Sequence, residues 1–148
     1  MKMKSILQLP AVALCTAVLL SLLLSVFAYT PAAERLLHTF YESFSGLLIL
    51  HLVYTVPVMI VGGMPISFLS HWAARKSGAY GKSRYMLELG IHAAGGLLIG
   101  SALLMIDSAA EGHAGSLLIG RVLAVCLAGA LLFYHVTLLF RRGDQAAQ

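Results

Sequence analysis

Four stretches of this chain, Ile6–Tyr29, Ser45–Leu69, Met86–Ile106 and Ser116–Phe140, carry almost no charge and leave only short connectors between them. A helix rises about 1.5 Å per residue and a bilayer core is about 30 Å thick, so each run is long enough to cross one. Inside lipid a backbone must satisfy its own hydrogen bonds, and an isolated apolar run does so as a helix. The chain is therefore expected to be an all-α membrane protein: a bundle of four transmembrane helices near residues 6–29, 45–69, 86–106 and 116–140, forming one integral membrane domain over 1–148. Composition agrees. Charged residues make up 11% of the 148, against about 25% in soluble domains, too few to coat a water-soluble globule. The first run follows Lys2 and Lys4 as a leader would, but its 24 residues exceed the roughly 7–15 of a signal-peptide core, so it is read as a span.

The net charge of +4 is placed as topology determinants are placed, and nucleic acid is not an expected partner. Outside the spans, Lys and Arg number two before the first, one (Arg35) in the first connector and four (Arg75, Lys76, Lys82, Arg84) in the second. The third connector has none and the C-terminal tail has two, Arg141 and Arg142. Such alternation puts both termini and the 70–85 loop in the cytoplasm of a bacterial cell, against anionic lipid of the plasma membrane. In the first, outer connector, Leu36, Leu37, Phe40, Tyr41 and Phe44 fall on one helical face, and Thr30-Pro31 offers a cap and a first-turn proline. A short outer interfacial helix is expected there. Trp72, Tyr80 and Tyr85 suit headgroup depth, and Gly78 and Gly81 suit turns.

Helices in lipid approach closely where residues are small. The third run has Gly90, Ala94, Gly96, Gly100 and Ser101, and the fourth has Gly120, Ala124 and Ala128. These two are expected to form a tight hairpin, or to supply the seam of a homodimer. The first run, rich in Leu and Val, suits lipid contact or a looser berth. Cys15 and Cys126 lie far apart in sequence and near mid-span, as small buried apolar residues rather than a disulfide.

One site is suggested by depth. His92 lies roughly 9 Å inside the third run, with Glu88 one turn earlier on the same face. His135, five residues before the end of the fourth run, occupies the same layer, and so does Gly62-Gly63-Met64-Pro65 in the second. Proline in a helix interior removes a hydrogen bond and clashes with the preceding turn, so a broken helix is expected at this level, with a second kink at Pro57. The expectation is a polar vestibule on the cytoplasmic side lined by Gly62, Gly63, Pro65, Ser67, Glu88, His92 and His135. At the opposite end Asp107 and Arg121 are expected to pair and staple the third span to the fourth. His51, Tyr54 and Thr55 form another polar spot, while His38, His71 and His113 are read as interfacial.

No His-Glu-x-x-His and no Gly-x-Ser-x-Gly occurs, and the two cysteines are not paired in a redox motif, so an enzyme is not expected. No cofactor is expected either; a b-type haem or a zinc ion held by His92 and His135 is the alternative that matched depth admits. A small oligomeric proton- or cation-coupled transporter would have to use Glu88, because the first span has no acid. The leading expectation is a non-enzymatic accessory or partner-binding membrane protein. Its partners would be the bilayer and a second copy or a larger membrane protein.

The run Gly63-Met64-Pro65-Ile66-Ser67-Phe68-Leu69-Ser70-His71, followed by Arg75-Lys76, resembles the Gly-x-Pro-Val-Ser-x-x-Ser-Asp signature of uncharacterised small membrane proteins of spore-forming Gram-positive bacteria. Those proteins have about four spans, and the motif ends their second. The resemblance implies the same topology and draws attention to Pro65, Ser67 and Ser70. This chain has Gly62 where that family commonly has an aromatic residue, and His71 where it commonly has Asp.

Overall fold

A computed structural model describes residues 8–111 and 116–146. Helix α1 is Leu9–Ala28, with Pro10 in its first turn, where a missing N–H is harmless. Helix α2, Phe44–Val58, begins at Ser43, whose hydroxyl accepts from the Gly46 amide at 3.0 Å. It continues through a five-residue π-helical turn, Met59–Gly63, into α3, Met64–Lys76. Helices α4, Gly81–Glu111, and α5, Ser116–Ala146, have 31 residues each. Among the described residues there is no strand, and four helices are long and apolar enough to cross a membrane, with Phe44–Lys76 counted as one.

The second of these bends the sequence expectation. Pro57 and Pro65 do not break it: Val58, Gly63 and Met64 all keep helical dihedrals. The helix widens instead. A π turn between the two prolines interrupts the regular ladder that their missing N–H groups and bulky rings would otherwise disturb. The turn from α3 into α4 follows the sequence, with Gly78 at φ +63° and Gly81 at φ +55° supplying left-handed backbone.

The interfacial helix expected over Leu36–Phe44 is not formed. The connector holds one three-residue 3-10 turn, Ala32–Glu34. His38 takes φ +68°, which ends any right-handed helix, and the Leu36 amide donates to the Tyr41 hydroxyl at 3.2 Å rather than to a helical carbonyl. Leu36, Leu37 and Phe40 share a helical spacing but have no surface of this chain to pack against, and all three are exposed.

Helices α4 and α5 form the closest pairing in the molecule, as their small residues predict. A Cβ on Gly96 would stand 2.7 Å from the Cys126–Ala130 side of α5, at Ala130 Cβ, and one on Gly100 would stand 3.1 Å from Leu123 Cδ2. The α5 half of the seam is not the one expected. Ala124 and Ala128 are exposed and Gly120 has open space around it, so that stripe faces outward. Helix α1 also departs from expectation. A larger share of it is buried than of any other span. Its inner face sets small and polar residues, Ala13, Thr16, Ala17, Ser21 and Ser25, beside Val12 and Leu20, packed against α2, the π turn and α5. The core joins this face to Met59 of the π turn and to Phe133 and Val136 of α5. Helix α2 rests on α1 and has little contact with α4 or α5.

Candidate functional site

Glu88 is 1% exposed and is held from three helices. Arg84 Nε, one turn earlier on α4, donates to Oε1 at 3.0 Å, and Arg141 Nη1 on α5 donates to Oε2 at 3.1 Å. The His71 ring of α3 stands 3.6 Å from Oε1 and also receives the second arm of the Arg141 guanidinium. A lone carboxylate at this depth would be strongly disfavoured; with two guanidiniums donating to it, it is compensated. The cluster ties α3, α4 and α5 together at the end where the chain is most basic.

His92 sits one turn further along α4 and is also 1% exposed. Its Nδ1 lies 2.8 Å from the Glu88 carbonyl oxygen, and its ring contacts Phe133 and Tyr134, with centroids 6.4 and 5.0 Å away. Nε2 has no hydrogen-bond partner, and neither has the buried Ser67 Oγ of α3. Tyr134 donates from its hydroxyl to the Tyr85 carbonyl at 3.3 Å, closing α5 onto the start of α4.

The sequence expectation placed seven residues around one polar vestibule. Glu88 is instead sealed beneath its arginines. Gly62 and Gly63 serve close packing: a Cβ on Gly63 would stand 2.8 Å from the Phe133 ring, and one on Gly62 would collide with Ile99. Pro65 opens α3, and Ser67 is buried in it. His135 does not join them. It lies on the exposed side of α5, with Nδ1 bonded to the Leu131 carbonyl at 2.7 Å and Nε2 3.5 Å from the Tyr85 hydroxyl. The rings of His92 and His135, the two imidazoles considered for haem or zinc, each contact Tyr134, at 5.0 and 5.6 Å, but His92 is buried and His135 exposed. Among the described residues no group of three or more His, Cys, Asp or Glu is placed to hold a metal ion. The Asp107 side chain, and with it the expected pair with Arg121, lies outside the described residues; so does His113.

Open space borders His92. A cavity of about 350 Å³ runs between α2 and the α4–α5 hairpin, from His92, Gly63 and Phe133 to His51, Thr55 and Arg121. Beside it a polar ladder joins α1 to α2: Ser21 Oγ and Thr55 Oγ1 are 2.6 Å apart, and Ser25 Oγ and His51 Nδ1 are 3.0 Å apart. The sequence places His71 at the interface, Arg84 and Arg141 among the topology charges and Glu88 in a vestibule, and so does not join the four. The i, i+4 spacing of Arg84 and Glu88 was the available signal for half of that cluster. Gly63, His92, His51, Tyr54 and Thr55, singled out in the sequence, all line the cavity, but as parts of two separate sites, because the space itself is made by the parting of helices.

No family description, curated protein or solved structure matches this chain.

Proposed function

We propose that the chain is a multi-pass protein of the bacterial plasma membrane, with both termini in the cytoplasm, acting as a non-enzymatic accessory or partner-binding component. The observation that carries this reading is the condition of Glu88. It is the one acidic residue within the four apolar runs. A carboxylate that couples transport to a proton or cation has to be reached from water and to exchange its counter-charge. Glu88 is buried and already shared between Arg84 and Arg141. Its role is to hold helices together, which leaves a small coupled transporter without its coupling group. The basic residues Arg75, Lys76, Lys82, Arg84 and Arg141 favour the cytoplasmic leaflet for that end. The resemblance of Gly63–His71 to the spore-former family supports the same topology.

A partner helix or a second copy has a place to approach on the outward stripe of Gly120, Ala124 and Ala128, where small side chains permit close backbones. The test is a pair of measurements. Proteoliposomes under an imposed pH gradient are expected to leak no faster than empty ones, while Glu88→Gln lowers the melting temperature in nanodiscs. Proton flux through the wild type, abolished by Glu88→Gln at unchanged melting temperature, would replace this reading with the transporter. A phosphatase reporter fused after Gln148 is expected to be inactive; activity would reverse the orientation. With Cys15 and Cys126 replaced, Ala124→Cys is expected to crosslink to a neighbouring chain and Gly96→Cys is not, since Gly96 is covered by α5 of its own chain.

A further inference from the structure

The cavity beside His92 has walls that are nearly all apolar, among them Leu20, Val58, Met59, Ile99, Val125 and Phe133. In a bilayer such a space holds a lipid-soluble molecule more readily than water, which would need several polar partners. Its inner end has a specific unmet demand. In the neutral imidazole the Nδ1 that faces the Glu88 carbonyl at 2.8 Å carries the hydrogen, which leaves Nε2 as an acceptor. That acceptor is buried and has no partner. Phe133 and Tyr134 on α5 lie against the ring.

Charge narrows the ligand further. Among the described residues no carboxylate borders the cavity, so a cation would find no counter-charge from them. An anion would go to Arg121, at the exposed rim. The contacts of Gly96 with Ala130 and of Gly100 with Cys126 fix the register of α4 on α5. At about 1.5 Å per residue that register separates the levels of Arg121 and His92 by roughly 15–20 Å. An anionic head at Arg121 would leave Nε2 unmet.

We propose that this cavity binds an uncharged, lipid-soluble alcohol or phenol, its apolar body along the α2 face of the α4–α5 hairpin and its hydroxyl donating to His92 Nε2. The shared chemistry is one O–H donor on an elongated apolar body, and it has two sources: a chain alcohol or a prenylated hydroquinone. The proposal depends on the membrane reading and not on the accessory role; Glu88→Gln tests that role without touching probe binding at Nε2.

The experiment uses full-length protein in nanodiscs, titrated calorimetrically with farnesol, with a prenylated hydroquinone, and with the O-methyl ether of each. At least one hydroxyl probe is expected to bind about tenfold more tightly than its ether, the value of one buried hydrogen bond. Preference for farnesol identifies a chain alcohol and preference for the hydroquinone a phenol. In His92→Phe the alcohol and ether should bind within about twofold of each other, because the acceptor is gone. Val125→Phe, which fills the cavity, should weaken both. Equal affinity of alcohol and ether for the wild type overturns the proposal, as does failure of both hydroxyl probes to bind. Should His92→Phe not fold, the wild-type comparison decides alone.

Discussion

The two ends of this bundle are held by different physics. Around Glu88, α3, α4 and α5 are drawn together by a buried carboxylate, two guanidiniums and an imidazole, over a seam where Gly96 and Gly100 bring backbones close. Around His51 and Arg121, α2 leans on α1 through two short side-chain hydrogen bonds and stands away from α4 and α5, which opens the cavity. The lesson concerns what replaces the hydrophobic effect in lipid. An apolar side chain gains little by leaving acyl chains for a protein interior, so helices stay together where charges must be compensated or where small residues let backbones touch. Where neither holds, they part.

The contrast can be broken by substitution. The largest effect is expected at the closed end: Arg141→Leu leaves Glu88 buried with one guanidinium fewer and should lower stability by about 3 kcal/mol, read by thermal unfolding in nanodiscs. Gly96→Val forces a branched side chain onto the Cys126 carbonyl, which would lie 2.8 Å from even a bare Cβ. Overpacking of that kind should cost about 1–3 kcal/mol in the same assay. At the open end Ser21→Ala removes the hydroxyl that meets Thr55 and should cost only about 0.6 kcal/mol, the average for a hydrogen bond between membrane helices. Gly120→Ala meets nothing within 4 Å and should change stability by less than about 0.5 kcal/mol. A Ser21→Ala loss as large as that of Arg141→Leu would mean that the two ends are not held differently after all.

Much of this was legible in the residues themselves. The glycines of α4 announced a close neighbour, and Gly78 and Gly81 announced the turn before it. Depth placed Glu88 and His92 a turn apart, but it missed the level of the Gly62–Pro65 segment: Glu88 stands against His71 and Gly62 against Ile99. What depth left open was direction around each helix axis. His92 and His135 share a layer, yet one is buried and the other exposed, because their helices turn them in different directions. Gly120, Ala124 and Ala128 have the spacing of a seam, yet the seam runs through Cys126 and Ala130. Long runs of Leu and Val hid the buried face of α1, where Ala13, Ala17, Ser21 and Ser25 recur every fourth residue, the alanines in the core and the serines bonded to α2. Arg141, counted as a topology charge, folds back onto a carboxylate 53 residues away in the chain.

Apolar length is a local sum, so the sequence by itself set the number of helices suited to lipid, their approximate place in the chain, and the unequal charge at their ends, while the helices run on by up to about two turns beyond the apolar limits. The rotation of each helix about its axis is not a local property. It depends on which side chains interdigitate with which neighbours, and only the assembled bundle decided that Glu88 would be sealed, that His135 would face outward, and that a space would remain beside His92.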